Sequence, residues 1–401
     1  LPLCQDTGKV IVFLEIGQEV KMTGEYIEIA INQSIEKCYK DNYFRKSVVK
    51  NAIFDRKNTK TNTPCVIHTK IIEGNKVNIK LLIKGAGSEN KSRLEMLMPT
   101  IDRTEFIQKC GEIILSAAEN ACPPMFVGIG AGLTMEGAAL LSKEALVTEV
   151  FSEEELNIAD EIKTYVNSIA PNKYKDCFVL DIKLLSRETH IACLPLAITL
   201  NCHSDRFSSC SIINGNIIYN HQIPDFIEQI PINEIQKSKK YILTDDINDI
   251  KALKAGEKIF LTGEIYVARD MAHKRLIDFI NQDKTLPFNI KNKIIFYAGP
   301  CPAKSGEIIG SIGPTTASRM DKYAKILYEK GLIATIGKGN RSIELLNIIK
   351  STGAKYFTAQ GGIAALLSQY VEKSEIIAFE DLGTEAIYKL YVKNLPLNVE
   401  I

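Results

Sequence analysis

The sequence of 401 residues has no Cys-x-x-Cys pair, no apolar run long enough to span a membrane, and almost no net charge. Zinc ribbons, thioredoxin-type redox centres and ferredoxin-type clusters need closely spaced cysteines, so the first absence counts against all three. The second argues against a membrane-spanning helix. A formal charge of +1 gives no overall electrostatic reason to bind nucleic acid or an anionic membrane. The composition therefore favours a small molecule as the partner.

The chain is longer than one hydrophobic core usually supports, so two domains are expected. Its ten cysteines are scattered over the whole length, which is typical of a soluble protein in a reducing compartment, and we predict a cytoplasmic location. The sequence begins at Leu1 rather than at Met, and Ile401 falls inside a predicted strand, so we expect both to be cut ends. A targeting peptide ahead of Leu1 is therefore neither predicted nor excluded.

The first half of the chain predicts mixed helices and strands. Val10 to Leu14 is expected to be a strand, and Val66 to Ile72 forms a predicted hairpin with Val77 to Ile83. Asp102 can cap a helix with one apolar face, which must end before the Pro-Pro pair that follows it. The pair Asn214-Gly215 suits the type I′ turn of a second hairpin.

The second half predicts a smaller α/β domain with a largely parallel or mixed sheet, because strands and helices alternate along it. Prolines and a basic run predict a linker near residues 231 to 240, and we place the domains at residues 1–235 and 236–401. Strands are predicted at Lys258 to Thr262, Ile294 to Ala298, Leu332 to Ile336 and Ile376 to Phe379, and helices near Asp270, Thr316, Ser342 and Gly362.

A metal site in this sequence would have to be assembled from cysteines far apart in the chain. Cys4 precedes a Gln-Asp-Thr-Gly turn, Cys122 precedes Pro-Pro, and Cys202 follows a predicted strand. Taken one at a time, each is better interpreted as an ordinary buried small hydrophobic residue.

Glycine-flanked loops beside predicted helices form a second group of candidates. A helix N-terminus near an Arg or Lys is a ready site for phosphate or carboxylate, and Gly313 to Arg319 and Gly337 to Arg341 both fit, with structural turns as an equal alternative. Neither is a Walker A segment. The run Gly128 to Gly132, between a strand and a helix, suggests a dinucleotide site, but Leu133 stands where the third glycine is needed.

Arg269 lies between a predicted strand and a helix that Asp270 could cap, so its side chain would point toward whatever the helix end faces. On this segment alone, a solvated surface charge is the favoured interpretation.

Six segments in a fixed order resemble the class I, iron–sulfur-dependent fumarate hydratases and the closely similar L-tartrate dehydratases, with α-type and β-type portions joined in one chain. These segments are Leu3-Cys4-Gln5-Asp6-Thr-Gly, Lys-Gly-Ala-Gly-Ser-Glu-Asn-Lys at 84 to 91, Glu188-Thr189-His190 with Asn201-Cys202-His203, Arg269-Asp270-x-x-His273-Lys274-Arg275, Gly-Pro-Thr-Thr-Ala-x-Arg-Met at 313 to 320, and Gly-Lys-Gly-Asn-Arg-Ser at 337 to 342.

The resemblance implies a 4Fe-4S cluster held by Cys4, Cys122 and Cys202, with one iron left without a protein ligand. The other seven cysteines then return to a structural role. The resemblance also implies a larger N-terminal α/β domain, a smaller swivelling-type C-terminal domain, an active site between them, and a homodimer.

Site residues follow from the same resemblance. The residues implied to bind the substrate carboxylates are Gln5, Arg45, Arg269, Arg319 and Lys338. The residues implied to move protons are Thr315, as the base for the carbon-bound proton, with Asp6 and His190 for the proton of water.

The implied reaction is the reversible hydration of fumarate to (S)-malate by a hydro-lyase (EC 4.2.1.2). L-tartrate dehydratase or mesaconate hydratase is the nearest alternative, because the same carboxylate clamps would serve all three substrates. A nucleotide-binding α/β protein without a cluster is the alternative from a different class, and a non-catalytic binding subunit is a third.

Overall fold

The computed structural model describes residues 8–118, 123–171, 177–204, 206–220 and 240–401. Helices and strands are mixed throughout, which confirms the predicted α/β class. The described residues divide into two compact units, one of 8–38 and 47–220 and one of Tyr39–Lys46 and 240–401. The predicted boundary at 235/236 lies outside the described residues and stays a prediction. Among the described helices, none combines the length and apolar character needed to cross a membrane.

The first unit is built from two sheets and the helices that pack on them. Its elements are β1 (Lys9–Gly17), α1 (Ile27–Asp41), β2 (Val66–Ile72), β3 (Val77–Lys84), α2 (Ala86–Glu89), β4 (Arg93–Leu97), α3 (Arg103–Ala118), β5 (Met125–Leu133), α4 (Met135–Ala145), α5 (Glu153–Ile169), β6 (Val179–Thr189), β7 (Leu194–Cys202), β8 (Phe207–Ile213) and β9 (Asn216–Tyr219). The strand orders are β2-β1-β3-β8-β9 and β4-β7-β5-β6.

The predicted hairpin of β2 with β3 is wrong, although both strands exist. β1 lies between them, parallel to β2 and antiparallel to β3, so that Ile11 pairs with Val66 on one side and with Leu82 on the other. The physical reason is burial. β1 is buried along nearly its whole length, whereas β2 is partly exposed, so the more apolar β1 takes an interior position and β2 takes the edge of the sheet.

Two local predictions in this unit are confirmed. The Asp102 carboxylate accepts a hydrogen bond of 2.8 Å from the Glu105 backbone N–H at the start of α3. β8 and β9 pair antiparallel around Asn214 and Gly215, whose φ angles of 50° and 79° suit a type I′ turn. Both features join residues that are only a few positions apart.

The glycines at 128 and 130 lie inside β5 rather than in a loop after it, so they do not form a phosphate-binding turn. They allow close packing of α4 on the strand. A Cβ atom added to Gly128 would lie 2.0 Å from the carbonyl oxygen of Ser142, and one added to Gly130 would lie 2.3 Å from that of Ala138.

We expect Gly128→Ala to destabilise the protein by about 3 kcal/mol, because the added methyl group would push α4 away from β5, and overpacking of a dense core costs of this order. Gly87→Ala is the matched control, since no atom lies within 4 Å of its added Cβ. The measurement is the urea dependence of unfolding. Equal unfolding midpoints for the two variants would contradict this account of the glycine.

The second unit contains one mixed sheet. Its elements are β10 (Lys240–Leu243), α6 (Ile247–Ala252), β11 (Lys258–Val267), α7 (Asp270–Asn281), β12 (Ile294–Phe296), α8 (Asp321–Glu329), β13 (Ala334–Gly337), α9 (Ile343–Thr352), β14 (Lys355–Thr358), α10 (Ala364–Leu367), β15 (Val371–Ala378) and β16 (Ile387–Val399), with 3₁₀ turns at Ala317–Met320, Ser368–Tyr370 and Glu380–Glu385.

Strands β10, β11, β12, β13 and β14 run parallel to one another. β16 runs antiparallel to the three strands with which it pairs, β11, β14 and β15. Because β16 pairs with both β11 and β14, the strands β11, β12, β13, β14 and β16 form a closed ring. Alternate residues of β12 face two cores: Ile294 and Phe296 face one, and Ile295 faces the other together with Leu276 of α7. The predicted mixed sheet is thereby confirmed for this unit.

Candidate active site

Three neighbouring parallel strands of the second unit have their carboxyl ends on the same side of the sheet. Arg269 follows β11, Gly299 follows β12, and Lys338 follows β13. In α/β folds, whether the parallel strands form an open sheet or a closed barrel, ligands bind at the carboxyl ends of the strands, so a site is expected here. Five of the eight residues predicted to bind substrate or move protons lie in the described part of this unit: Arg45, Arg269, Thr315, Arg319 and Lys338.

Arg269 is largely buried and has an ion pair with Glu385, whose Oε1 lies 2.9 Å from Nη2. Burial lowers the pKa of Arg269, and the negative charge of Glu385 acts in the opposite direction. The positive charges of Arg45 and Arg319 are close enough to lower the same pKa further. The interpretation of Arg269 as a solvated surface charge is therefore wrong, because the guanidinium lies inside a group of charged side chains.

Gly299 is the point at which Arg45 and Arg269 meet. Nη1 of Arg45 donates a hydrogen bond of 3.0 Å to the Gly299 carbonyl oxygen. A Cβ atom added to Gly299 would lie 2.9 Å from Cζ of Arg269 and 2.8 Å from the carbonyl oxygen of Thr384. The absence of a side chain at this position leaves the space that the Arg269 guanidinium occupies.

Arg319 forms a two-point ion pair with Asp270. Nε of Arg319 donates to Oδ1 at 3.1 Å and Nη2 donates to Oδ2 at 2.5 Å. The prediction that Asp270 caps α7 is wrong, because Asp270 is the first helical residue and Arg269 holds the cap position without a side-chain bond. The N–H of Met271, in the first turn of α7, has no partner within the helix and donates to Oε2 of Glu385 at 2.8 Å.

Thr315 is buried between the ends of β12 and β13. Its N–H donates to the Tyr297 carbonyl oxygen at 2.7 Å, and its own carbonyl oxygen accepts from the Lys338 N–H at 3.1 Å. The Ala317 N–H donates to the Lys338 carbonyl oxygen at 2.9 Å. These bonds fix the backbone on both sides of Thr315 and bring it next to Lys338.

A buried group of aromatic and charged side chains packs beside the carboxyl ends of these strands. The Arg341 guanidinium lies between the rings of Tyr297 and Tyr356, 5.2 and 5.1 Å from their centroids, and its Nε is 2.9 Å from Oδ1 of Asp321. The hydroxyl of Tyr356 donates to the Gly339 carbonyl oxygen at 2.7 Å. The group therefore braces the loop that carries Lys338.

His273 belongs to the same support. Its ring Nδ1 lies 3.0 Å from the Arg269 carbonyl oxygen, and full burial lowers its pKa to about 4. The ring is therefore neutral near pH 7, and it holds the backbone of Arg269 without adding a charge.

In the first unit, Cys202 is the last residue of β7. Its Sγ lies 2.6 Å from the hydroxyl oxygen of Ser204, which can donate to a thiolate. In the antiparallel pairing of β7 with β5, Cys202 stands opposite Met125. Cys122 is three residues before Met125, a length of chain that spans at most about 11 Å.

The start of β1 lies on the same side of the first unit as the carboxyl end of β7. The Ile83 N–H donates to the carbonyl oxygen of Arg206, just beyond β7, at 2.9 Å. Gly8 packs on the next residue, since its added Cβ would lie 2.5 Å from the carbonyl oxygen of Lys84. Gly8 is four residues after Cys4. The described chain next to Cys4 and Cys122 thus lies near the end of β7.

Cys4, Gln5, Asp6 and Cys122 themselves lie outside the described residues. Within the described part of the chain, no three His, Cys, Asp or Glu side chains form a group that could hold a metal ion. Two of the three predicted cluster ligands are not among these described residues. The predicted donor set of three cysteines is of the kind that binds iron–sulfur clusters, and the described member, Cys202, has a hydroxyl beside it.

His190 and Cys202 lie at opposite ends of β7. His190 is exposed in the turn before the strand, where its Nδ1 accepts a hydrogen bond from the Ala192 N–H at 3.1 Å. The nine residues of β7 rise about 3.3 Å each, which separates the two ends by about 26 Å. Within one chain, the structure does not bring these two predicted site residues together.

Sequence reasoning missed Glu385, Asp321 and the role of Arg341. No local pattern marks them, because each acts through a partner that is distant in sequence. Met271, for example, is 114 positions from Glu385. The predicted arginines imply acidic partners, but the sequence does not show which of its 48 acidic residues these are.

Comparison with known proteins gives matches along the whole chain. The profile of the family described as Fumarate hydratase (Fumerase) matches residues 1–211, and that described as Fumarase C-terminus matches residues 218–401. Fumarate hydratase class I, anaerobic, of Escherichia coli (strain K12) is 30% identical over 432 residues, which cover 99% of this chain and 77% of that protein.

Two further relatives are similar. Fumarate hydratase 1, mitochondrial, of Leishmania major is 28% identical over 428 residues, which cover 99% of this chain and 77% of that protein. A protein of Methanocaldococcus jannaschii that is provisionally named L(+)-tartrate dehydratase subunit beta is 39% identical over 157 residues, covering 38% of this chain and 80% of that protein.

Proposed function

The chain belongs to the fumarate hydratase family and is a hydro-lyase, and from this premise we propose that it catalyses the reversible hydration of fumarate to (S)-malate with a 4Fe-4S cluster. The observation that carries the proposal is the group of three arginines at the carboxyl ends of the strands, in which Arg45 binds the Gly299 carbonyl oxygen beside Arg269, and Arg319 binds Asp270 next to it. A dicarboxylate is the small ligand that such a group suits.

The charges of this group support a dicarboxylate as the substrate. The group contains four basic residues, Arg45, Arg269, Arg319 and Lys338, and two of them, Arg269 and Arg319, are held by the carboxylates of Glu385 and Asp270. Guanidinium groups bind carboxylates through paired hydrogen bonds. We propose that these four basic residues, with Gln5, bind the two carboxylates of the substrate.

The cluster would be held by Cys4, Cys122 and Cys202, supported by the approach of β1, β5 and β7 at one end of the first unit. When bound, a cluster with an iron that lacks a protein ligand supplies a Lewis acid for the hydroxyl group that leaves malate or enters fumarate. The Ser204 hydroxyl would stabilise the Cys202 thiolate.

In the dehydration direction, a base removes a proton from the carbon beside a carboxylate. We propose Thr315 for this role. An ordinary hydroxyl is far too weak a base, so Thr315 depends on the nearby positive charges, which stabilise its alkoxide and also the negative charge that builds up on the substrate carboxylate. Its backbone bonds to Tyr297 and Lys338 fix the main chain that carries the hydroxyl.

Asp6 is proposed to handle the proton of water. A corresponding role for His190 stays a prediction, and the length of β7 keeps that side chain away from Cys202 of the same chain.

The proposal is tested with protein purified without oxygen and supplied with iron and sulfide. We expect an iron and sulfide content of one cluster for each chain, with fumarate hydrated and (S)-malate dehydrated faster than tartrate or mesaconate react. Exposure to air should remove activity and cluster absorbance together. Higher turnover of L-tartrate than of malate would favour the tartrate alternative, for which the Methanocaldococcus jannaschii relative is the specific support.

A colourless protein that is active on none of these acids, and whose melting temperature rises with a nucleotide, would instead favour the nucleotide-binding alternative.

A further inference from the structure

Glu385 connects the Arg269 side chain to the start of helix α7. Its Oε1 lies 2.9 Å from Nη2 of Arg269, and its Oε2 accepts a hydrogen bond of 2.8 Å from the Met271 N–H. Both carboxylate oxygens are therefore used, each by a donor from a different part of the segment that follows β11. Glu385 itself ends the 3₁₀ turn Glu380–Glu385, and only Ala386 separates it from β16.

We propose that Glu385 is a positioning residue that holds the Arg269 guanidinium at the place where it receives a substrate carboxylate. This inference rests on the proposed function, because it assigns Glu385 a role in binding the dicarboxylate through Arg269. Glu385 does not need to touch the substrate.

Electrostatics explains why Arg269 needs such a partner. The guanidinium is largely buried, and Arg45 and Arg319 repel it, so that without Glu385 it would carry an uncompensated charge in a poorly hydrated place. It would then move toward solvent. Gly299 lies against the guanidinium, because a Cβ atom added there would be 2.9 Å from Cζ of Arg269.

A carboxylate is required at this position because both of its oxygens accept hydrogen bonds. Glutamine has one acceptor oxygen, and its NH₂ group would face the donor of either Arg269 or Met271. Glu385→Gln therefore breaks one of the two connections although it keeps the size of the side chain. Glu385→Asp keeps the charge and both acceptors on a side chain that is shorter by one methylene.

The same segment provides a matched control. Asp381 accepts two hydrogen bonds from Arg275, at 2.7 and 2.8 Å, and so also ties this 3₁₀ turn to α7. The Asp381–Arg275 pair is exposed and does not include Arg269. Asp381→Asn therefore measures how KM responds when the 3₁₀ turn loses a contact with α7 that does not involve Arg269.

The experiment is a double-mutant cycle on the protein with its cluster, prepared without oxygen and normalised to iron content. We expect Glu385→Gln to raise the KM for fumarate about tenfold, the value for loss of one well-placed hydrogen bond to a charged group, with kcat within about threefold. Asp381→Asn should change KM less than about twofold, and Glu385→Asp should recover most of the loss.

The coupling between Glu385 and Arg269 tests whether Glu385 acts through Arg269. In an Arg269→Gln background, Glu385→Gln should change KM less than about twofold, because the residue through which Glu385 acts is already gone. Independent, multiplicative effects of the two substitutions would overturn the positioning role, as would a wild-type KM in Glu385→Gln.

Binding of succinate, a dicarboxylate that cannot react, is measured in the same variants. A loss of succinate affinity in Glu385→Gln that disappears in the Arg269→Gln background supports the positioning role even if fumarate is not hydrated. Failure of fumarate hydration in the wild-type protein contradicts the proposed function alone, whereas independent effects on succinate binding contradict the inference alone.

Discussion

Replacing Cys202 with alanine is expected to lower fumarate hydration at least about a thousandfold and to leave the protein without its cluster. A Lewis acid contributes several kcal/mol to the stabilisation of the reacting oxygen, and about 4 kcal/mol corresponds to a thousandfold in rate. The proposed donor set has only three thiolates, so loss of one leaves two iron atoms of the cube without protein ligands. Iron and sulfide analysis and the visible absorbance measure the cluster directly.

Cys210→Ala is the control for this experiment. Cys210 lies in β8, eight residues beyond Cys202, and burial raises the pKa of its thiol, which disfavours the thiolate that a metal requires. Its replacement should leave iron content and activity close to those of the wild type. A cluster retained in Cys202→Ala but lost in Cys210→Ala would show that the ligand assignment is wrong.

Thr315→Val is expected to lower kcat by about a hundredfold to ten-thousandfold, the range that general acid–base catalysis usually contributes, with little change in KM. Valine keeps the shape of threonine and removes only the hydroxyl. The backbone bonds of residue 315 to Tyr297 and Lys338 do not involve the side chain, so the strand-end geometry is retained. Rates of (S)-malate dehydration at saturating substrate measure the effect.

The adjacent Thr316 provides the matched control, since Thr316→Val removes the same group one position along the same segment. Thr316 is paired with Lys338 through its backbone, and we expect its replacement to change kcat less than about threefold. Equal losses in the two variants would mean that the segment responds to any change of polarity and that Thr315 is not the base. An intact exchange of the malate C3 proton with solvent in Thr315→Val would also contradict the assignment.

The three arginines lie close together because two of them have internal acidic partners. Arg319 and Arg269 each have an internal carboxylate, Asp270 and Glu385, while Arg45 binds a backbone carbonyl oxygen. Like charges brought together without such partners would repel one another in a partly buried place. The internal carboxylates of Asp270 and Glu385 therefore reduce the repulsion among the three arginines.

Short-range features of this protein could be predicted from the sequence. The Asp102 cap, the Asn214-Gly215 turn and the start of α9 at Ser342, whose hydroxyl accepts from the Leu345 N–H, all agree with the structure. Each is formed by residues at most a few positions apart, so the chemistry that creates it is visible in one stretch of sequence. The family was recognisable for a related reason, because its motifs are local and ordered.

The arrangement of these pieces depended on contacts between distant residues. Only the sheet decided that β1 lies between β2 and β3, since strand order follows from which strand buries most apolar surface. Asp270 was predicted as a cap and instead binds Arg319, 49 positions away. The partner of Arg269 was invisible, because Glu385 resembles any other acidic residue until folding brings it to the start of α7.

The sequence by itself therefore determined the class of fold, the family and the residue types that can bind a dicarboxylate. The tertiary structure alone decided which of those charges meet, which of them are held by internal partners, and that β7 separates His190 from Cys202. The physical reason is that ion pairs and strand neighbours depend on distance in space, and the sequence records only distance along the chain.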